Sequence, residues 1–305
     1  MRRIAIAIGD PNGIGPEIAV RAAITPPAGV DPVLVGDRHV IDHYVQRFAP
    51  GASMACVDVK ALAPDAFSPG SLSPDAGAAT VAYCKRAVDL ALHGEVDAVV
   101  GCPHSETAVN RAGIAFNGYT GLVADLTQTS RSEAFMLLAA AGLRIAHVTL
   151  HESVAQALAR LTPALVMATT RATVSALQTL GVNAPKLALF GINPHASEDG
   201  LFGDEDARIT VPAATQLRAE GIQLDGPVGA DMVLAQRRHD AYIAIFHDQG
   251  HIPVKLLSPL RASALTIGVP ILFSSVAHGC AFDIAGQGIA DPKAVLETLA
   301  LLVNT

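Results

Sequence analysis

Three histidines follow apolar runs that are typical of buried strands, and their residue type could bind a metal ion. They are His151, His195 and His247. In open α/β sheets ligands bind at the carboxyl ends of the strands, and neutral imidazole is the commonest metal ligand. Three protein ligands would leave coordination positions for a substrate. The pattern allows one shared metal site, but spacing alone does not show that the three meet. The alternative is three separate loop histidines.

The stretch around His247 carries further chemistry. An apolar run over 241–246 predicts a strand that ends in His247 and Asp248, and Gly250 and Pro253 predict a break in the chain after it. A histidine and an aspartate at a strand end can bind metal or move protons, and Lys255 adds a charge close by. The alternative is a polar pair that forms a turn.

Two glycine-containing loops could bring backbone close to a ligand. In the first, residues 9–17, the glycines precede a helix start at which Pro16 suits the first turn and Glu17 the positive end. Such a turn can admit an anion, but the spacing is not that of a Rossmann fingerprint. The second runs from His278 to Asp291 and is either a nucleotide or phosphate loop or a long turn.

Strands and helices alternate along most of the chain, which predicts an α/β fold with a largely parallel sheet. The stretches 50–78, 113–121 and 225–231 are predicted as loops. The predicted strands are 4–8, 32–36, 97–100, 143–150, 187–192, 241–246, 264–267 and 274–276, and the predicted helices are 18–23, 78–93, 163–180, 209–221 and 292–302.

The composition excludes several classes of protein. With 305 residues, half of them apolar, the chain can bury one large or two medium cores. A net charge of -7 without a Lys/Arg run argues against a nucleic-acid partner. No apolar stretch is long enough for a membrane span, and no signal peptide is expected. The four scattered cysteines are typical of reduced thiols in a cytoplasmic protein.

Taken together, these motifs resemble the 4-hydroxythreonine-4-phosphate dehydrogenases of vitamin B6 synthesis, the PdxA family, over nearly the whole chain. The loop from His278 is also similar to the adenosine loop of isocitrate and isopropylmalate dehydrogenases. The residues that carry the family resemblance are Gly9–Glu17, Asn193–Ala196, Asp225–Pro227, Ala230–Asp231, His247–Gly250 and Lys255.

The resemblance implies an α/β fold like that of isocitrate and isopropylmalate dehydrogenases, with two α/β/α domains and a cleft between them. The expected domains are 1–125 plus 260–305, which carries the NAD loop, and 126–259, which carries the metal site and the dimer contact. A homodimer with shared active sites is implied, in which one divalent metal ion, zinc or iron, with cobalt or magnesium as further possibilities, is bound between subunits. The residues concerned are His151, His195 and His247 for the metal, the last donated across the dimer, and His278, Gly279, Ala281 and Asp291 for NAD.

The departures from the vitamin B6 enzymes concern the phosphate. Those enzymes have Lys, His, Asn and Arg where this chain has Glu106, Tyr119, Ala264 and Phe273. A phosphate needs donors and positive charge, so these exchanges favour another substrate. A branch of the family oxidises the cis-dihydrodiol of terephthalate to protocatechuate with loss of carbon dioxide. The segments 102–106, 112–116, 147–154 and 248–253 are similar to that branch.

We therefore expect a metal-dependent NAD oxidoreductase that acts on a small carboxylate diol. The expected substrate-binding residues are His104, Tyr119, Thr120, Lys255 and Phe273, and the expected catalytic residues are Lys255 and Asp248. The alternatives are the phosphate-substrate dehydrogenase itself, or a sugar-acid phosphate relative, and a non-catalytic ligand-binding protein. The sequence leaves NAD against NADP open.

Overall fold

The chain folds into two compact units, seen in a computed structural model that describes residues 1–303. The first unit contains Met1–Gln128, Leu260–Ala264 and the segment from Val269 onwards. The second contains Thr129–Pro259 and Leu265–Gly268. Residues 304 and 305, which the domain prediction included, lie outside the described part.

The helices and strands alternate along the chain. The strands are β1 Arg2–Ala7, β2 Val30–Gly36, β3 Cys56–Asp58, β4 Ala98–Gly101, β5 Phe135–Ala140, β6 Leu143–His147, β7 Lys186–Phe190, β8 Gln223–Val228, β9 Ala241–Ala244, β10 Ser263–Ile267 and β11 Phe273–Val276. The helices are α1 Gly15–Ile24, α2 Arg38–Phe48, α3 Pro74–Leu92, α4 Glu106–Arg111, α5 Tyr119–Leu126, α6 Val154–Arg160, α7 Pro163–Thr179, α8 Glu205–Arg208, α9 Thr210–Ala219, α10 Ala230–Gln236, α11 His247–Leu257 and α12 Lys293–Val303. A short 3₁₀ helix spans Pro64–Ala66, and an irregular turn with left-handed backbone conformation spans Pro194–Gly200. Within residues 1–303, no helix is long and apolar enough to cross a membrane.

In the first unit, five parallel strands lie in the order β3-β2-β1-β4-β11. Ile4, Ile6 and Ile8 are fully buried, because helices cover both faces of a parallel sheet and its strands become continuous apolar runs. The carboxyl end of β1 leads directly into the Gly9–Ile14 turn and α1, as the sequence predicted.

In the second unit, the strand order is β5-β6-β9-β7-β8. The pairs β6–β9, β9–β7 and β7–β8 are parallel, but β5 and β6 form an antiparallel hairpin whose turn residues Ala141 and Gly142 both have positive φ. β5 was not predicted. The hairpin pairs Met136 with His147, so it fixes where His147 lies.

The chain does not break after His247, and that prediction was wrong. Helix α11 begins at His247 and continues through Pro253 to Leu257. A proline inside a helix costs about 3 kcal/mol through its missing N–H and its clash with the preceding turn. Gly250 and Val254 on the inner face of α11 are buried, and such tertiary packing stabilises the helix against this cost.

Other boundaries also differ from the prediction. β6 ends at His147 rather than at residue 150, although the backbone N–H groups of Val148 and Thr149 still donate to the carbonyls of Ala244, the last residue of β9, and of Ile245. The predicted loop over 113–121 contains the start of α5, and the predicted loop over 225–231 contains the end of β8 and the start of α10.

Candidate active site

One face of α11 gathers three groups that can do chemistry. His247, His251 and Lys255 are spaced four residues apart, so they lie one above another on the helix surface. All three are partly exposed, while Gly250 and Val254 are buried. The helix starts soon after β9, so the polar face begins at the carboxyl end of that strand, where ligands bind in α/β sheets.

Four histidines of the second unit meet at this face. The rings of His247 and His251 are stacked, with centroids 3.6 Å apart and planes at 13°. The ring centroid of His151 is 5.5 Å from that of His247. His147 completes the cluster, with its Nε2 3.1 Å from Nδ1 of His251. His151 and His247 were expected at one site, whereas His147 and His251 were missed.

Burial holds two of these rings in the neutral form. His147 is fully buried, and desolvation lowers its pKa to about 3. Desolvation, followed by the neighbouring His247, lowers the pKa of His251 to about 4. Both imidazoles are therefore uncharged near pH 7 and each offers one N–H and one lone pair.

His247 is oriented by its sequence neighbour. Its Nδ1 lies 2.7 Å from Oδ1 of Asp248, whose side chain is 81% exposed. A carboxylate accepts a hydrogen bond from Nδ1–H, which leaves the lone pair on Nε2. This is the arrangement that fixes metal-binding imidazoles.

His195 stands on a different element and in an unusual backbone conformation. It lies in the Pro194–Gly200 turn, in which five consecutive residues, His195 to Asp199, have φ between 43° and 73°. Each costs roughly 1–2 kcal/mol in this left-handed region. The ring of His195 neighbours Phe202, 6.2 Å between centroids.

Buried Asp206 holds this turn in place, although no motif in the sequence marks this residue. Its carboxylate accepts hydrogen bonds from the backbone N–H groups of Ile192 (2.8 Å) and Asn193 (3.0 Å). It also accepts from the hydroxyls of Ser197 (2.8 Å) and Thr210 (2.6 Å). Four donors to one carboxylate can offset both its burial and the strain of the turn.

The donor set for a metal ion is incomplete in one chain. His151 and His247 approach each other and bear suitable nitrogens, whereas His195 has Phe202 as its ring neighbour. Across residues 1–303, no three His, Cys, Asp or Glu side chains are arranged to hold one ion. A single chain thus brings together two of the three predicted ligands.

Lys255 lies one helical turn beyond His251. The side chain is half-buried, and desolvation lowers the pKa of its amine. A partly desolvated ammonium binds a carboxylate more strongly than an exposed one, since water screens the interaction less.

The first unit contains an aromatic cluster made of His104, Phe116, Tyr119 and Phe273. The ring of Tyr119 packs edge-on against His104 (4.4 Å between centroids) and Phe273 (5.5 Å). Its hydroxyl donates to the backbone carbonyl of Cys102 at 2.9 Å. Phe273 is fully buried, so it acts as a wall behind Tyr119 rather than as an exposed surface.

This aromatic cluster is electrically neutral. Desolvation lowers the pKa of His104 to about 4 and raises the pKa of the Tyr119 phenol well above its usual value. Glu106 begins α4 and is exposed, Thr120 is partly buried, and Ala264 is 8% exposed. The positions at which a phosphate would need positive charge hold none.

The loop from His278 to Asp291 is anchored by charged side chains. Arg47 donates to the carbonyls of Gly286 and Gln287, and Arg21 donates to the carbonyl of Ala290. Of the predicted cofactor residues, His278 is half-buried and Gly279 exposed, Ala281 has a φ of 41°, and Asp291 accepts the N–H of Lys293 at the start of α12.

Residues 28–302 match the family described as "Pyridoxal phosphate biosynthetic protein PdxA". The chain belongs to the PdxA family. It is 49% identical to the 1,2-dihydroxy-3,5-cyclohexadiene-1,4-dicarboxylate dehydrogenase of a Comamonas species, over 99% of this chain and 97% of that protein. The crystal structure of a terephthalate 1,2-cis-dihydrodiol dehydrogenase from Burkholderia xenovorans LB400 matches with a TM-score of 0.77 at 47% identity, covering 99% of this chain and 98% of the other.

A more distantly related dehydrogenase has a fold similar to that of this PdxA-family chain. A β-decarboxylating dehydrogenase from Thermococcus kodakarensis matches with a TM-score of 0.53 at 16% identity, over 100% of this chain and 83% of the other. At that identity the likeness concerns the fold alone. The expected isocitrate-dehydrogenase-like α/β fold is confirmed, and so is the family resemblance.

Proposed function

We propose that this chain is an NAD-dependent dehydrogenase that oxidises the cis-dihydrodiol of terephthalate and releases carbon dioxide to give protocatechuate. The observation that carries the proposal is the neutral aromatic cluster around Tyr119. The 49% identity to a dehydrogenase named for this diol supports it.

The cluster discriminates between substrates by charge. A phosphate group buried against neutral rings leaves its oxygens without donors, which costs several kcal/mol. The flat ring of a diol dicarboxylate needs no such donors beside this cluster, in which Tyr119 and Phe273 are themselves buried. The exposed carboxylate of Glu106 further opposes a phosphate dianion.

The reaction balances as one oxidation followed by one decarboxylation. The carbon that bears a hydroxyl and a hydrogen gives its hydride to NAD⁺, and the hydroxyl proton goes to a base. The ketone so formed lies β to a carboxylate, so the carbon–carbon bond breaks, carbon dioxide leaves, and the enol that remains is the aromatic product. We assign binding of a substrate carboxylate to Lys255 and orientation of His247 to Asp248.

A divalent ion, when bound, supplies Lewis-acid polarisation of the substrate hydroxyl. We propose that His151, His195 and His247 bind it, as zinc or iron, in a site shared between two subunits. No three such side chains form one site within residues 1–303, which supports a site completed by a second subunit. The pair that approaches in one chain is His151 with His247, although His247 was the ligand expected from across the dimer. Imidazole donors of this kind suit both metals.

A homodimer is the assembly that we propose for this site. Ile252, Leu256 and Leu257 are exposed by 53%, 79% and 40%, and they lie on the same helix as His247. Large apolar side chains grouped on one helix are typical of a subunit contact. We propose that α11 forms part of it, which would bring His247 close to the second subunit.

We further propose that the loop from His278 to Asp291 binds NAD through His278, Gly279, Ala281 and Asp291. Its anchorage by Arg21 and Arg47 supports this, because a preformed loop loses less entropy on binding.

The four cysteines are unpaired, three of them buried, which supports a cytoplasmic site of action.

The test is a comparison of substrates with the purified, metal-loaded protein and NAD⁺. We expect kcat/KM for the diol to exceed that for 4-phosphohydroxythreonine by about a thousandfold or more, given the cost of the unpaired phosphate. The family description, pyridoxal phosphate biosynthesis, makes the phosphorylated substrate the second candidate. Faster turnover of that substrate would overturn the proposal, and no NADH with either would point to a ligand-binding protein.

A further inference from the structure

The tautomer of His251 is set by a chain of hydrogen bonds that begins on the β5–β6 hairpin. The Nδ1 of buried His147 lies 3.3 Å from the carbonyl oxygen of Met136. A carbonyl only accepts, so Nδ1 of His147 carries the hydrogen and its Nε2 carries the lone pair. That lone pair faces Nδ1 of His251 at 3.1 Å, so Nδ1 of His251 is the donor.

The consequence is a lone pair on Nε2 of His251. The opposite tautomer would set two lone pairs against each other in a buried place, at the cost of an unmade hydrogen bond. Stacking against His247 restrains the ring plane as well. Both the direction and the hydrogen-bonding character of Nε2 are therefore fixed before any ligand arrives.

From this geometry, and resting on the proposed function, we propose that His251 is a substrate-binding residue whose Nε2 accepts a hydrogen bond from a ring hydroxyl. His147 is its positioning residue. Lys255 stands four residues further along the same helix face, about 5–6 Å away between Cβ atoms. A hydroxyl and a carboxylate on one substrate carbon can thus be bound by neighbouring side chains of α11.

Two substitutions at position 251 test the roles of the two ring nitrogens of His251 separately. In His251→Gln the amide oxygen reaches about where Nε2 lies, so an acceptor for the hydroxyl remains. In His251→Asn the shorter amide retains the contact with His147 and removes that acceptor. The affinities of protocatechuate, which has hydroxyls, and of benzoate, which has none, are measured by calorimetry on the holoenzyme.

We expect His251→Asn to weaken protocatechuate binding by about 3- to 10-fold, the value of one hydrogen bond, while benzoate is unaffected and His251→Gln stays close to wild type. Equal binding by Asn and Gln variants, or an equal loss for benzoate, overturns the proposal. The affinities do not depend on turnover. If wild type fails to oxidise the diol, the proposed function falls, and the binding data still decide the role of His251.

The positioning role of His147 has its own measurement. Imidazole ¹⁵N shifts in the wild type should identify His251 as the Nδ1–H tautomer, and His147→Leu should abolish this preference. Ile145→Val, a buried change two residues away on β6, is the control for lost packing. An unchanged tautomer in His147→Leu, or the Nε2–H tautomer in the wild type, overturns the assignment.

Discussion

The carboxylate of Glu17 accepts hydrogen bonds from the backbone N–H of Ala290 at 2.9 Å and of Gly288 at 3.2 Å. Glu17 is fully buried, and its remaining charge is balanced by Arg21 at 3.6 Å. Helix α1 thereby holds the end of the loop that we propose binds NAD. Glu17, in the loop over residues 9–17, is thus hydrogen-bonded to the loop from His278 to Asp291, although the sequence predicted only a favourable charge at a helix terminus for it.

Replacing Glu17 with Gln should loosen this loop. The amide nitrogen sets a donor against one backbone N–H and removes the charge that faces Arg21, so we expect a loss of about 1–3 kcal/mol in unfolding free energy. The Kd for NAD should rise severalfold, and the KM for the diol should change less. Urea unfolding and NAD titration measure both. Glu220→Gln, which alters an exposed pair with Arg171, is the control. Unchanged NAD affinity would contradict the link.

Asp10 should make stability depend on pH. Its side chain is buried, its Oδ2 has no hydrogen-bond partner within residues 1–303, and burial raises its pKa from 3.8 to about 6. The native state therefore retains the proton to higher pH than the unfolded state, and the stability contributed by this group falls as pH rises from about 4 to about 6.

Asp10→Asn removes this dependence. Relative to wild type, the variant should gain about 1–3 kcal/mol in unfolding free energy between pH 4 and pH 7. Urea unfolding at several pH values measures the difference, and Asp65→Asn, at an exposed carboxylate, is the control. A variant whose difference from wild type stays flat across this range would exclude Asp10 as the titrating group.

Glu106→Lys should improve binding of a phosphorylated substrate. The side chain is exposed at the start of α4, with its carboxylate near Gly118, so the exchange leaves the core intact. A cation there should raise kcat/KM for 4-phosphohydroxythreonine by about 3- to 10-fold and cost about 0.3–1 kcal/mol at the helix N-terminus. Thr107→Lys, which places the same positive charge one residue further along α4, is the control. An equal gain from both variants would indicate a general charge effect.

His195→Ala should remove most of the bound metal. Its ring is exposed, so truncation leaves the core unchanged, and two imidazoles bind an ion far more weakly than three. Metal analysis after dialysis and the rate of NADH formation should both fall, while circular dichroism is unchanged. His93→Ala, at an exposed histidine of the first unit, is the control. Full metal content in His195→Ala would remove His195 from the site.

Leu256→Glu should weaken the proposed dimer. A carboxylate on the apolar surface of α11 has no partner there and is costly to bury. We expect light scattering after gel filtration to show a monomer and metal content to fall with it, since the proposed metal site is shared between subunits. Leu92→Glu, at an exposed leucine of α3, should remain dimeric. A dimer that persists in Leu256→Glu would place the contact elsewhere.

Most of the fold follows from simple periodicity. The strands at 4–8 and 97–100 were predicted because parallel strands are buried on both faces and become unbroken apolar runs. β5 was missed although 135–140 is also an unbroken apolar run, because no Asn-Gly turn marks its hairpin with β6. Helix α11 was missed because the proline rule was applied without knowing how much surface the helix buries.

Some residues of the candidate site could likewise be predicted from the sequence, and others could not. His151 and His247 were found because strand ends are a general place for ligands. His251 would have been found from its four-residue spacing to His247, had α11 been predicted. The roles of His147 and Asp206 could be seen only in the tertiary structure. The strand position of His147 does not indicate that it contacts His251, and the short helix of Asp206 does not indicate that Asp206 holds the His195 turn.

The close approach of α11 to β6 limits the order in which this chain can change. A side chain at Gly250 would overlap the imidazole of His147, which is itself held by Met136 and His251. A larger residue at position 250 can be accepted only after position 147 has become smaller. The two positions therefore depend on each other in evolution, since a side chain gained first at position 250 would have to displace the buried imidazole of His147.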